Sequence, residues 1–335
     1  MSALRNDRKS SFGGDILRSF IFVLLTAGLI FLYIRKTVNS TILLVGVGLL
    51  TTVDLLGIGM KYLNSFNFTS KDQYETSEFP MSDADKAILA DKDPNYRVFN
   101  TTYGNPFEES RTSYYHKSIG GYHPAKLGIY DDLATYQISG SANPAVIGML
   151  NVKYIIQRNP QTNALLAIPN PYALGNAWFV KGVKWVKGPA EEMRGLDNLT
   201  PKDTAVIDDK FRNDVGSIVA ADSTATIKQV FFDNDTIRYE SNSAGANLAV
   251  FSEIYYKDWK AYIDGKPAPI VKADYVLRAL TIPAGKHSIE FRFEPKMFKL
   301  GWTLTTISSW ILNILLLAFI AWRIKLYLDQ KKTAK

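Results

Sequence analysis

The sequence predicts a membrane protein of α+β class, with about three transmembrane helices, an outward-facing α+β domain and a small antiparallel β-sandwich. Three observations predict it. Apolar residues are concentrated in three long runs, two near the start and one near the end. The 28 basic and 28 acidic residues of 60–299 cancel, so the net charge of +7 belongs to the membrane flanks. The last part of the middle segment alternates apolar and polar residues between tight turns, as half-buried strands do.

The runs come first. Gly301 to Trp322 holds 22 residues without a charge, close to the roughly 20 needed to cross a bilayer core of about 30 Å. Thr41 to Met60 has only Asp54 against it. Ile16 to Ile34 carries Arg18 in its first turn, where a long side chain can snorkel to the headgroups. A secretory signal is the competing reading for this run, against which speak the lack of a small-residue cleavage site after it and the second apolar run that begins soon after.

Orientation follows from the basic flanks. The tail beyond the last run holds Arg323, Lys325, Lys331, Lys332 and Lys335, which the positive-inside rule places in the cytoplasm. Residues 63–298 then face outward. Three spans put Met1 outside as well, although Arg5, Arg8, Lys9 and Arg18 precede the first span and only Arg35 and Lys36 follow it. The expectation is that further spans precede this chain, in cis or as a separate chain, and that residues 1–19 form a loop between helices. The alternative is a short native N-terminus that breaks the rule.

Composition excludes several classes. The chain has no cysteine, so it has no disulfide, no thiolate nucleophile and no thiolate metal site. Its three histidines, His116, His123 and His287, make a zinc site improbable, and no metal is expected. Basic residues are not clustered on a folded domain, which argues against nucleic acid.

Four segments are expected: 1–62 with a juxtamembrane loop and two spans, 63–222 as an α+β domain, 223–296 as a sandwich, and 297–335 as the last span and basic tail. In the second, Ser82 caps a helix over residues 83–90, and Pro94 ends it. Strands follow at 96–100 and from Val152. Asn143 and Pro144 occupy the cap and first positions of another helix. Residues 177–186 read as one strand or a bent hairpin, 189–196 as a short helix and 204–208 as a strand.

In the third segment some seven short strands are expected. Asp233–Asp235 and Asp264–Gly265 are hairpin turns, and the chain turns again at residues 283–285. His287, Ile289, Phe291 and Phe293 share one face of the last strand. Trp259, Ala261 and Ile263 alternate toward a core.

Candidate sites lie in three places. The stretch 113–133 combines Gly120, Gly121, Tyr122, His123, Lys126, Tyr130 and Asp131. The glycine pair lets backbone approach a ligand, and Pro124 is suited to open a helix over 124–133 whose first amides could receive a phosphate. The same features also describe a packed loop and helix start. Asp54 is an ionisable group inside a span, which is a functional hypothesis by default, although it stands near the outer end where water reaches. Tyr256, Trp259 and Tyr262 could stack on sugar rings or simply pack.

The order of these features resembles the C-terminal portion of the YfhO family of bacterial membrane proteins. The residues that carry it are the span end "TTVDLLGIGMKYLN", then "YRVFN", "SIGGYHPAKLGIYDDL", "MLNVKYII" and "GNAWFV", and the closing 255–295 before the last span. The resemblance implies a C-type glycosyltransferase-like protein of the bacterial cytoplasmic (inner) membrane, multi-pass, with its main domain extracytoplasmic. It implies a polyprenyl-phosphate-sugar donor, no other cofactor, and a cell-envelope polymer as acceptor. The acidic catalytic residue of such enzymes lies in a first outer loop that this chain does not contain, so no residue here inherits that role. The implied part is to shape the acceptor side or cover the site. The alternatives are a non-catalytic membrane-anchored envelope-binding or structural module, and a stand-alone hydrolase, against which the lack of a Ser/His/Asp grouping speaks.

Overall fold

The computed structural model describes residues 2–220 and 224–333, so the boundary expected at 222/223 and Lys335 of the tail lie outside the described residues. Two units are described separately, residues 1–80 and 81–335.

In the first unit, α1 (Ser2–Ile34) and α2 (Ser40–Tyr62) are long apolar helices. Asn39 caps α2, its side chain accepting from the Ile42 amide. Lys61 lies 3.0 Å from Asp15 and Arg18 lies 3.3 Å from Asp54. A Cβ added to Gly46 would come within 2.9 Å of Leu29, so the helices run antiparallel and nearly touch there. The expected loop at 1–19 is helix from Ser2, because nothing between Ser2 and Ile34 breaks α1 before the turn at Arg35 to Val38. Arg18 stands in the middle of α1 and meets Asp54 of α2, an opposite charge that satisfies both groups. A short helix, α3 (Lys71–Glu78), capped by Ser70, follows.

The second unit begins with α4 (Asp83–Leu89), where Ser82 and Asp85 form a reciprocal capping box. Three sheets follow. The smallest joins β1 (Arg97–Asn100), β2 (Val152–Arg158) and β3 (Leu165–Pro169), with β1 and β2 parallel and β2 and β3 a hairpin. Between β1 and β2 the chain makes α5 (Arg111–Tyr115), α6 (Gly128–Leu133), a π-helical turn over Ala134–Ile138 and α7 (Pro144–Met149). Asn143 and Pro144 take the cap and first positions of α7, as expected. The helix expected from Pro124 starts only at Gly128, because residues 124–125 form a turn and Leu127 precedes the helix in extended backbone. At six residues it is too short to offer an anion site at its N-terminus.

The six-stranded sheet takes β4 (Ala177–Phe179), β5 (Gly182–Val186), β6 (Thr204–Asp208), β9 (Asn247–Ile254), β12 (Val271–Ala273) and β13 (Leu277–Ile282), in the order β4-β9-β13-β12-β6-β5. Residues 177–186 are therefore neither one strand nor a hairpin: β4 and β5 stand at opposite edges of this sheet. The helices α8 (Gly188–Gly195) and α9 (Arg212–Val215) flank β6 in sequence. The five-stranded sheet is wholly antiparallel, in the order β11-β10-β14-β8-β7. Its strands are β7 (Thr226–Phe232), β8 (Thr236–Ser243), β10 (Trp259–Ile263), β11 (Lys266–Ala268) and β14 (Gly285–Phe293).

These two sheets share a core of Ile237, Tyr239, Ala249, Phe251, Ala261, Leu280, Ile282, Ile289 and Phe291. The rings of Tyr239, Phe251 and Phe291 meet edge to face with centroids 4.8–6.1 Å apart, the geometry their quadrupoles prefer. Trp259 and Ile263 pack against it, as their alternation with Ala261 predicts. Two turns differ from expectation. Residues 283–285 do not close a hairpin but carry the chain from β13 in one sheet to β14 in the other. Residues 266–271 likewise split between β11 and β12, since Pro269 has no N–H to extend either ladder. The six-stranded sheet also draws strands from both sides of the boundary expected at 222/223, so the facing sheets are not closed by 223–296 alone.

Asp264 and Gly265 both have positive φ, 49° and 77°, the two-residue turn that matches strand twist. Beyond β14, Glu294 and Pro295 lead into α10 (Lys296–Thr333). Among the described residues three helices are thus long and apolar enough to cross a membrane, over Phe12–Ile34, Ser40–Asn67 and Lys296–Gln330.

Candidate functional site

The segment 113–133 is positioned by β1. The Val98 amide donates to Lys117 O at 2.8 Å and the Ile119 amide to Val98 O at 3.2 Å, so residues 117–119 run alongside the strand. This delivers Gly120 and Gly121 to the loop at 106–109. The Gly121 amide donates to Pro106 O at 2.8 Å and the Tyr122 amide to Glu109 O at 2.9 Å. A Cβ on Gly120 would stand 2.2 Å from Pro106 O, so only glycine fits, and Gly121 has φ of +105°. Tyr130, on α6, donates its hydroxyl to Ile119 O and ties the helix to the loop. Burial pushes its phenol up to about 12, so it remains a donor.

These residues enclose a cavity of about 330 Å³ lined by Gly120, Gly121, His123, Lys126 and Tyr130, with Arg97 at one side and Phe107, Leu150 and Ile254 as apolar wall. Arg97 is held in place. Its Nη1 donates to Leu150 O and to Ser252 Oγ, each at 2.9 Å, and Nη2 lies 3.6 Å from Glu253. Lys126 Nζ donates to Phe107 O at 3.2 Å. His123 Nδ1 accepts from the Ala125 amide at 3.1 Å, which puts the proton of the neutral ring on Nε2. Two cations, a histidine and loop backbone with no lining carboxylate suit an anionic or polyhydroxylated ligand of small size.

Of the seven residues proposed from the sequence, the structure gathers five. Tyr122 is 66% exposed and outside the lining. Asp131 is exposed on α6 and also outside it, while its neighbour Asp132 accepts from the Tyr275 hydroxyl at 2.7 Å. Arg97 was missed. Its signal was the one charge in "YRVFN", a strand otherwise read as ordinary.

The other candidates are elsewhere. Asp54 faces a groove between α1 and α2 with Thr26 and Thr51, and pairs with Arg18. Tyr256, Trp259 and Tyr262 line a separate cavity of about 460 Å³ beside β10 and β11. One face of Trp259 is covered by the Arg278 guanidinium, 3.9 Å from the ring centroid, and Tyr262 is covered by Arg292 at 4.8 Å. Among the described residues no group of three or more His, Asp or Glu side chains could hold a metal ion.

No curated protein and no solved structure matches the chain. A family model does, over residues 217–305, which run from before β7 through the first turns of α10. Over that stretch, a cavity-bearing sheet joined directly to a membrane helix, the chain is similar to the family described as bacterial membrane protein YfhO.

Proposed function

We propose that this chain is the ligand-binding C-terminal part of a multi-span protein that transfers sugars from a polyprenyl-phosphate carrier to a cell-envelope polymer. On this reading residues 63–295 face away from the cytoplasm of a bacterial inner membrane, and the Gly120 cavity holds a phosphate-bearing or sugar group while chemistry occurs in spans outside this chain. One observation supports a binding role. The cavity collects Arg97, Lys126 and His123 with no carboxylate in its lining, so it can attract and orient an anion. The family match, with its link from sheet to span, supports the membrane context.

The test is binding of glucose 1-phosphate, with inorganic phosphate and glucose as comparisons, to the full chain in detergent micelles. Lys126→Glu and His123→Ala should weaken it at least tenfold while thermal stability stays unchanged. In cells the same variants should lose envelope glycosylation at normal protein levels. Unaltered binding and glycosylation would remove the cavity from the function and leave an envelope-anchoring module.

A further inference from the structure

The second cavity, beside β10 and β11, is independent of the first and lies where the outer unit meets its own membrane helix. Trp259 pairs with Phe293 across β10 and β14, and the Glu294 amide donates to Asp258 O at 2.8 Å. Lys260 Nζ holds Glu294 at 2.6 Å, and the Tyr256 ring lies 6.1 Å from that of Phe293. Residues 256–260 are therefore pinned beside the last residues before α10. Asp258, with φ of 71°, makes the kink that turns the chain there.

Depth follows from the helix. Lys296 precedes the charge-free run at Gly301 by five residues. That is about 7–8 Å along a helix rising about 1.5 Å per residue. The headgroup layer on each face of a bilayer is about 5–8 Å thick, half the difference between about 30 Å of core and about 40–45 Å overall. Residues 256–260 consequently stand at headgroup level, where tyrosine, tryptophan and lysine are favoured.

The cavity's chemistry fits that depth. Tyr256 is 39% exposed and Lys257 is exposed, and Lys257 has no acidic partner at ion-pair distance among the described residues. Lys257 and Lys260 line the cavity with Asp258, and Lys296 and Lys299 follow in the first turn of α10. The acidic turn at 233–235 lies on the other side of β14 from β10, where Asp235 O accepts from the Phe293 amide at 2.8 Å. Trp259, backed by Arg278, is a fixed wall.

We propose that this cavity binds the phosphate headgroup of a membrane phospholipid, with Lys257 on the phosphate and Tyr256 and Trp259 against the glycerol-ester region. The test uses the absence of cysteine. The full chain carrying Pro269→Cys, exposed between the cavity residues Ala268 and Ile270, takes a single bimane label. In lauryldimethylamine oxide micelles, dihexanoylphosphatidylglycerol should give a saturable change in emission. Lys257→Glu should weaken it at least tenfold, and Lys286→Glu, at the far end of β14, should leave it unchanged. The proposal is overturned if inorganic phosphate gives the same saturable change, if maltose responds and the phospholipid does not, or if Lys257→Glu binds as wild type.

Discussion

His287 Nδ1 lies 2.6 Å from Asp264 Oδ2, joining β14 to the turn between β10 and β11. The Ser288 amide donates to the other carboxylate oxygen at 2.9 Å, so a turn residue is anchored to the neighbouring strand. The hydrogen bond to Asp264 raises the imidazole above 6.5, and the same bond holds the carboxyl below 3.8. The histidine's contribution is complete below its ordinary value and lost as pH rises through its raised one. The aspartate's contribution is complete above its ordinary value and lost as pH falls through its depressed one. The pair therefore acts fully between about pH 4 and 6.5. A proton NMR titration of the His287 ring should have its midpoint above 6.5 in the native chain and return to the ordinary value in Asp264→Asn.

Asp274 makes the opposite prediction. It is fully buried at φ of 49°, with Oδ1 accepting from the Val206 amide at 2.7 Å and Oδ2 without a partner. Burial pushes its carboxyl up to about 7, and nearby Glu192 adds to that. Raised from 3.8, it favours the folded state when protonated, so its support is lost as pH rises from about 4 through about 7. The gap between 3.8 and about 7 corresponds to about 4 kcal/mol. Asp274→Asn keeps the acceptor for Val206 and tolerates the positive φ. Thermal unfolding in detergent at pH 5 and pH 8 should show the native chain weaker at pH 8 and the variant losing less over the same range, the remainder being the loss at His287.

Gly120→Ala should cost about 1–3 kcal/mol through overpacking against Pro106. Because the clash is with backbone, the loop has to move, and the cavity wall with it. The expected readout is a melting point several degrees lower together with loss of glucose 1-phosphate binding. Gly128→Ala, where nothing stands within 4 Å of the added Cβ, should change neither.

Arg18 and Asp54 should behave as a unit. A lone charge within an apolar span costs about 2.5–3.5 kcal/mol on insertion scales. Asp54→Leu strands Arg18 and should reduce the membrane-integrated fraction, measured by carbonate extraction. Arg18→Leu combined with Asp54→Leu should restore it. If the double variant inserts normally yet loses envelope glycosylation, the pair serves function beyond assembly.

Local signals were legible where the chemistry is local. Ser82 and Asn143 cap their helices, Asp264–Gly265 turns, and the alternation through Ile289 and Phe291 marks a buried strand face, because each depends on residues a few positions apart. What joins distant strands was not. The residues at 283–285 read as a hairpin turn, yet the choice between turning back and crossing to the facing sheet is made by packing among Leu280, Ile282 and Ile289. Arg97 escaped notice because its role comes from Leu150 and Ser252, and nothing in "YRVFN" announces them. The helical start of α1 was hidden by the charges of residues 5–9, which suit a loop as well as a helix lying beyond the apolar core.

The placement of β4 and β9 side by side has a consequence for biosynthesis. Ala177 pairs with Phe251, so 74 residues must be made before the edge of β4 is satisfied. At about 5–20 residues per second this leaves an open strand for roughly 4–15 s. Its waiting edge is a site for mispairing in that interval, and a piece cut out as 217–305 would leave β9 without β4 and β12 without β6. Folding of the matched stretch is thus a late event that depends on residues made well before it, and the emerging anchor helix follows within about twenty residues of the last strand that closes the larger sheet.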